Sequence, residues 1–357
     1  MTLRFEKVTK RVTLMDPFDA FKQKVQTIEH RRDPLLGRWS RVNMDRVKRT
    51  KTLETSRADP ELLSRVEESR DACYFCPDNL ENSTPRFPPD LVEKGRIRVG
   101  EAVVFPNLFP FGENHAICVL SSEHSLNPAD ITAQMWSDAV SACIRFFEAV
   151  HRRDPDQRYP TINLNLMPPS GASILHPHLQ VLMESRPSTM LETVLGASER
   201  YLAEGGSNFW RDLMEKERDL GERYLGDVPP FGWICPWAPI GNNEVMGISL
   251  DTATCVTDLS DAQIRGFSEG LEQVLSGLQR VRAAQSLNLI LFSAGIGGDV
   301  REYFRLHARV VSRPNLAKYY VGDRGFMEVL QLETVIHSLP EALATDLRAT
   351  SPLFFSS

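Results

Sequence analysis

Two histidines, His176 and His178, lie two residues apart at the end of a run of small and apolar residues, Gly171-Ala172-Ser173-Ile174-Leu175, and Leu179-Gln180 follow them. On a strand, side chains at i and i+2 share a face, so both imidazoles can reach one site. The Gly-Ala-Ser turn places small residues where backbone N–H groups can approach a phosphate closely, as in anion-binding nests. A second pair, Cys73 and Cys76, has the spacing of a metal or redox site, because six cysteines in 357 residues do not resemble a secreted disulfide framework. Cys118, Cys143 and Cys235 sit among apolar neighbours and read as buried structural thiols.

The elements that position these groups occur twice. Residues 116–120 (AICVL) read as a strand, Asn127-Pro128 as a helix start, and Met135, Ala139, Cys143, Phe146 and Val150 as one helical face. A strand over 162–166, the small-residue turn and HPHLQVLMESRP complete the first unit. The second opens with VMGISL, continues through a capping box, Ser260 with Gln263, and carries Ile264, Phe267, Leu271, Val274, Leu278 and Val281 on a helix. It ends with LNLILF, SAGIGG and YFRLHARVVSRP, so that His307 takes the place of His178. This order predicts an α+β fold of two repeats, each an antiparallel sheet with a packed helix. The expected halves are 1–187 and 231–357, joined by a linker over 188–230. The proline-rich stretch before residue 116 reads as loops held by something other than packing.

Length predicts two domains or one duplicated unit, and 42% hydrophobic with 25% charged residues is ordinary for a globular chain. A net charge of −6 argues against a nucleic-acid groove, despite a local basic patch over 38–51. The N-terminal MTLRFEKVTKR lacks the apolar run of a signal peptide, and no stretch of about 18 apolar residues appears. The expectation is a soluble, cytoplasmic protein with no membrane partner.

The Gly-Ala-Ser turn running into His-Pro-His-Leu-Gln resembles the galactose-1-phosphate uridylyltransferase branch of the histidine triad superfamily. Other segments are similar to that family in the same order: Asp33-Pro34-Leu35-Leu36-Gly37-Arg38-Trp39 with Arg46 and Arg49 beyond it, Cys73-Tyr74-Phe75-Cys76-Pro77, the Asn107-bearing VFPNLFPF, Glu123-His124-Ser125, and Lys318-Tyr319-Tyr320-Val321-Gly322. The resemblance spans residues 33–322.

It implies a nucleotidyltransferase that moves an NMP group from an NDP-sugar to a sugar 1-phosphate, with His178 as the nucleophile attacking the α-phosphorus. Neutral histidine suits this role because it is nucleophilic near pH 7 and its phosphoramidate is labile. Gln180 stands where histidine triad hydrolases carry a second histidine. An amide cannot act as the acid that helps a poor leaving group depart, and a sugar phosphate leaves without one, so Gln180 favours transfer over hydrolysis. By the same resemblance Arg46, Arg49, Asn107, Asn165, Gly171, Ala172, Ser173, Lys318 and Val321 contact nucleotide, phosphate or sugar. Cys73, Cys76, His124 and His176 hold one structural Zn²⁺, a Cys2His2 set suited to tetrahedral zinc; sequence geometry alone does not choose His124 over His115. A homodimer is also implied.

Departures lie in the second half. Leu306-His307-Ala308-Arg309 has Arg309 where galactose-type enzymes carry a second histidine, and Gly297 or Gly298 replaces a further ligand, so a second metal site is expected to be absent. Asp323 and Arg324 stand where those enzymes contact the sugar, leaving base and sugar open. Two other readings compete: a phosphorylase or hydrolase that splits NDP-sugars or dinucleoside polyphosphates, and a zinc-stabilised nucleotide-binding protein without catalysis.

Overall fold

The computed structural model describes residues 3–43, 45–46, 60–317 and 322–350. Strands β1 (Lys7–Asp16), β2 (Lys22–Arg32), β3 (Trp39–Val42) and β14 (Thr334–Ile336) form a small sheet in the order β1-β2-β3-β14. The main sheet has ten strands. Its first half comprises β4 (Ile97–Val99), β5 (Ala102–Pro106), β6 (Asn114–Val119), β7 (Tyr159–Leu166) and β8 (His178–Glu184). Its second half comprises β9 (Tyr224–Val228), β10 (Phe231–Ile234), β11 (Val245–Ser249), β12 (Ser286–Phe292) and β13 (His307–Arg313).

The order β4-β5-β6-β8-β7-β12-β13-β11-β10-β9 reads the same from either edge once each strand is matched to its counterpart in the other half. The two repeats therefore share one continuous sheet, joined where β7 pairs antiparallel with β12 and Asn165 stands opposite Asn288. His178 and His307 each open the last strand of their repeat.

Helix α1 (Pro60–Glu68) and α2 (Pro77–Ser83) flank the cysteine pair, and α3 (Ala133–Arg153) packs across the first half. Helix α3 starts later than Asn127-Pro128 suggests. Those residues open a single 3-10 turn, and the Thr132 side chain caps the helix by accepting from the Met135 N–H. Trp136, Ala139, Val140, Cys143, Phe146, Phe147 and Val150 are buried at helical spacing. At about 1.5–3 kcal/mol for each large apolar side chain, this stripe fixes the helix to the sheet.

After α4 (Thr189–Gly205) and α5 (Phe209–Leu220), α6 (Asp261–Arg282) covers the second half, opened by the Ser260/Gln263 capping box read from the sequence. Close approach is built in at Gly270, where an added Cβ would lie 2.4 Å from Trp233 Nε1. Short helices α7 (Phe326–Val329) and α8 (Pro340–Arg348) end the described chain.

The segment before residue 116 is more regular than its prolines suggest, with five complete strands and two α-helices among its described residues. Residues 188–230 hold α4, α5 and the edge strand β9. Buried Arg223 bridges Glu217 on α5 and Glu341 on α8, with its guanidinium over the rings of Phe5 and Trp237. Arg31 of β2 also pairs with Glu341, which ties the small sheet to the main body. No helix among the described residues is long and apolar enough to cross a membrane.

Candidate active site and metal centre

Strand alternation divides the main sheet into two faces. Leu179, Val181 and Met183 of β8 are fully buried in the core beneath α3 and α6, so His178 and Gln180 stand on the opposite face. The β7–β8 register pairs Asn163 with Gln180, placing Asn163 and Asn165 on that face as well. The β5–β6 register adds Phe105, Ile117 and Val119, which pack with Phe75 of the cysteine loop.

His178 is buried, and its Nδ1 lies 2.8 Å from the His176 carbonyl oxygen. A carbonyl only accepts, so Nδ1 carries the hydrogen and Nε2 keeps its lone pair; the network assigns this tautomer. Burial lowers the pKa of His178, partly offset by the His176 carbonyl, so the imidazole is neutral near pH 7. Phe75 packs edge-on against it, with centroids 5.2 Å apart.

Cys73, Cys76, His124 and His176 converge although they come from four places in the fold. All four are buried, and their donor atoms lie within 4.8 Å of one another. Cys76 Sγ is 3.3 Å from His124 Nδ1 and 3.6 Å from His176 Nδ1, and Cys73 Sγ is 3.9 Å from His176 Nδ1. Sulfur and nitrogen at about 2.3 and 2.0 Å from a tetrahedral zinc would be separated by about 3.5 Å. The remaining ring nitrogens are spoken for: His124 Nε2 donates to the Val66 carbonyl at 2.9 Å and His176 Nε2 to the Ser121 carbonyl at 2.9 Å. These bonds leave both Nδ1 atoms free to ligate, the usual arrangement behind a metal-bound histidine. Burial, and then the neighbouring Cys73, push the Cys76 thiol up to about 11 without a cation. A bound divalent ion would reverse that penalty, and the donor set fits zinc.

Asn107 follows β5, and its Nδ2 approaches Gln180 Oε1 at 3.4 Å. Asn165 accepts from Asn288 Nδ2 at 2.6 Å across the β7–β12 seam. Asn288 in turn accepts from Arg313, which pairs with Asp323. Gly171 has φ +101°, a backbone shape that glycine adopts without strain, and leads into Ala172 and Ser173. Arg46 is exposed, and its backbone N–H bonds to the Asn43 carbonyl. Arg49, Lys318 and Val321 lie outside the described residues.

His115 is a member of this cluster that sequence reasoning weighed only as an alternative to His124 for the metal. It is buried, and its Nε2 lies 2.5 Å from Gln180 Oε1. The signal was available, because β6 starts before Ala116 and the parity of Ile117 and Val119 carries His115 to the same face.

The equivalent face of the second half is closed. His307 Nδ1 lies 2.9 Å from the Arg305 carbonyl, repeating the i−2 bond of His178. Its ring, however, is stacked between Trp210 of α5 at 4.0 Å and Phe292 at 4.9 Å. Arg309 is held by buried Glu244 at 2.9 Å. His307 is thus a packed histidine.

No family model matches the chain. An uncharacterized protein of Archaeoglobus fulgidus is 28% identical over 328 residues, covering 92% of this chain and 93% of its own. Among solved structures, an ADP-glucose phosphorylase of Arabidopsis thaliana with bound ADP-glucose superposes with a TM-score of 0.71 at 18% identity, over 91% of this chain and 99% of that one. A uridylyltransferase superposes at 0.63 and 18% identity, over 71% and 85%. The resemblance read from the motifs is matched at the level of architecture, and the chain has the fold of the galactose-1-phosphate uridylyltransferase-like proteins.

Proposed function

We propose that this protein is a nucleotidyltransferase that carries the NMP group of an NDP-sugar on His178 and delivers it to a phosphate acceptor, as the resemblance implies. The observation that carries the reading is the His178–His176 carbonyl bond, which leaves Nε2 unprotonated on the face of the sheet that His178 shares with Gln180. In the first step Nε2 attacks the α-phosphorus, an N–P bond forms, and the P–O bond to the β-phosphate breaks. The sugar 1-phosphate leaves with that electron pair. In the second step an acceptor phosphate oxygen attacks the same phosphorus, and the N–P electrons return to His178. The Gln180 amide offers hydrogen bonds and no titrating proton, so water gains no acid catalyst at this position.

Asn107, Asn165 and the Gly171–Ser173 turn are the groups we assign to nucleotide and phosphate, together with Arg46, Arg49, Lys318 and Val321 as the resemblance implies. Zinc on Cys73, Cys76, His124 and His176 would be structural, anchoring the front segment to β8. The acceptor we favour is a sugar 1-phosphate. A second reading, inorganic phosphate as acceptor, is favoured by the superposition with an ADP-glucose phosphorylase over nearly all of that chain. Homodimerisation and a cytoplasmic location belong to the same reading, and pairing would cover the exposed Leu108, Phe109 and Phe111 beside Asn107.

The test is isotope exchange. With an NDP-sugar panel and no second acceptor, labelled sugar 1-phosphate should enter the NDP-sugar pool, because the first step is reversible through the covalent carrier. Parallel incubations with phosphate and with sugar 1-phosphates identify the acceptor. Absence of exchange with every NDP-sugar, alongside retained nucleotide binding, would establish the non-catalytic reading instead.

A further inference from the structure

We infer that His115 is a positioning residue that orients the Gln180 amide, so that its NH2 end, and not its carbonyl, faces the phosphate beside His178. The inference rests on the nucleotide-site reading above.

The hydrogen-bond directions follow from groups whose roles are fixed. The backbone N–H of Phe111 points at His115 Nδ1 at 3.4 Å, and a backbone N–H can only donate. Nδ1 is therefore the acceptor and Nε2 bears the hydrogen, which it gives to Gln180 Oε1 at 2.5 Å. Asn107 is fixed in the same way. Its Oδ1 accepts the Phe109 N–H at 2.9 Å, so its NH2 is turned inward, 3.1 Å from His115 Nε2 and 3.4 Å from the same Gln180 oxygen; with Nε2 already bearing a hydrogen, that oxygen is the acceptor left to it. Two donors thus converge on Oε1, and a flipped Gln180 would set its NH2 against both. Gln180 and His178 share a face of β8.

Phosphate oxygens accept hydrogen bonds and repel carbonyl oxygens. An unconstrained glutamine would sample both orientations, whereas one clamped by His115 is committed as a donor. His115 is buried, with the Phe111 ring centroid 4.2 Å from its own, and burial lowers its pKa against smaller upward influences from Gln180 and Glu184. It therefore acts as a fixed neutral donor.

The experiment compares binding of AMP, GMP, CMP and UMP with binding of the corresponding nucleosides, so that the affinity ratio isolates the phosphate. His115→Leu should leave nucleoside affinity unchanged and lower the monophosphate-to-nucleoside ratio about ten-fold, the range expected for a hydrogen bond to a charged group. His115→Gln, which can place an N–H near the position of Nε2, should recover most of the ratio. Gln180→Ala should match His115→Leu, and the double variant should be no worse than either single one. If the effects of His115→Leu and Gln180→Ala add, or if His115→Leu keeps the full phosphate gain, the positioning role is overturned and the nucleotide site stands. If the wild-type protein binds none of the four monophosphates, the nucleotide-site reading fails and this assignment falls with it.

Discussion

The Nδ1 atom of His178 sits 2.8 Å from the carbonyl oxygen of His176, so the candidate nucleophile is aimed by the backbone of a candidate metal ligand. The cluster of Cys73, Cys76, His124 and His176 thus supports the direction of an imidazole that is not itself a ligand. Elemental analysis should give close to one zinc per chain and no approach to two. Cys73→Ser with Cys76→Ser should lose the metal, and chelation should lower the melting temperature, because the bound ion contributes folding free energy. Full zinc retention in the double cysteine variant would refute the ligand assignment.

His307 repeats the backbone bond of His178 but is stacked between Trp210 and Phe292, with no hydrogen-bond partner for Nε2 among the described residues. Its role should be stability and not turnover. His307→Ala should destabilise the fold by about 2–4 kcal/mol, as removal of a packed ring does, while nucleotidyl transfer per folded molecule stays near wild type.

Burial, reinforced by Arg309, pulls the His307 pKa down to about 3. Its folded pKa lies below its unfolded value of about 6.5, so between these values the unfolded chain binds the extra proton. The contribution is fully present above pH 6.5 and is lost as pH falls toward 3. Denaturant titrations across that window should show a steeper acid loss in wild type than in His307→Phe. Equal slopes would place the proton elsewhere.

Gln180 supplies hydrogen bonds without titrating. Gln180→His should raise NMP release to water relative to transfer, by up to the 10²- to 10⁴-fold range of well-placed acid catalysis. His115 Nε2, a donor in the native site, would face the new imidazole and limit how well it is placed. Product analysis of NDP-sugar incubated with and without acceptor measures this ratio. A variant that remains as resistant to water as wild type would show that the amide is not what excludes hydrolysis.

Much of this architecture was legible because local signals agreed with the global order. The Ser260/Gln263 box and the apolar stripes of α3 and α6 marked both repeats, and His178 and His307 emerged as counterparts. Long-range pairing was not legible. Nothing local indicates that β7 and β12 would join the repeats into one sheet, because an edge-to-edge pairing of two strands leaves no periodic trace in either. Strands β1 and β2 were hidden because their side chains, Arg31 apart, are exposed or half-buried and give no apolar stripe. Strand parity could place His115 on the site's face, but its partnership with Gln180 and Phe111, which sets it apart from a metal ligand, comes from tertiary structure alone. The closure of the second site by Trp210 likewise depends on where α5 docks.

The most direct measurement is intact-protein and peptide mass spectrometry after incubation with an NDP-sugar panel in the absence of acceptor. The account predicts a mass increase of one NMP on the peptide that contains His178, with release of one equivalent of sugar 1-phosphate. The adduct should disappear on addition of an acceptor phosphate and be absent from His178→Gly, whose zinc content remains near wild type. No adduct with any NDP-sugar, or an adduct that survives removal of His178, would contradict covalent catalysis at this residue.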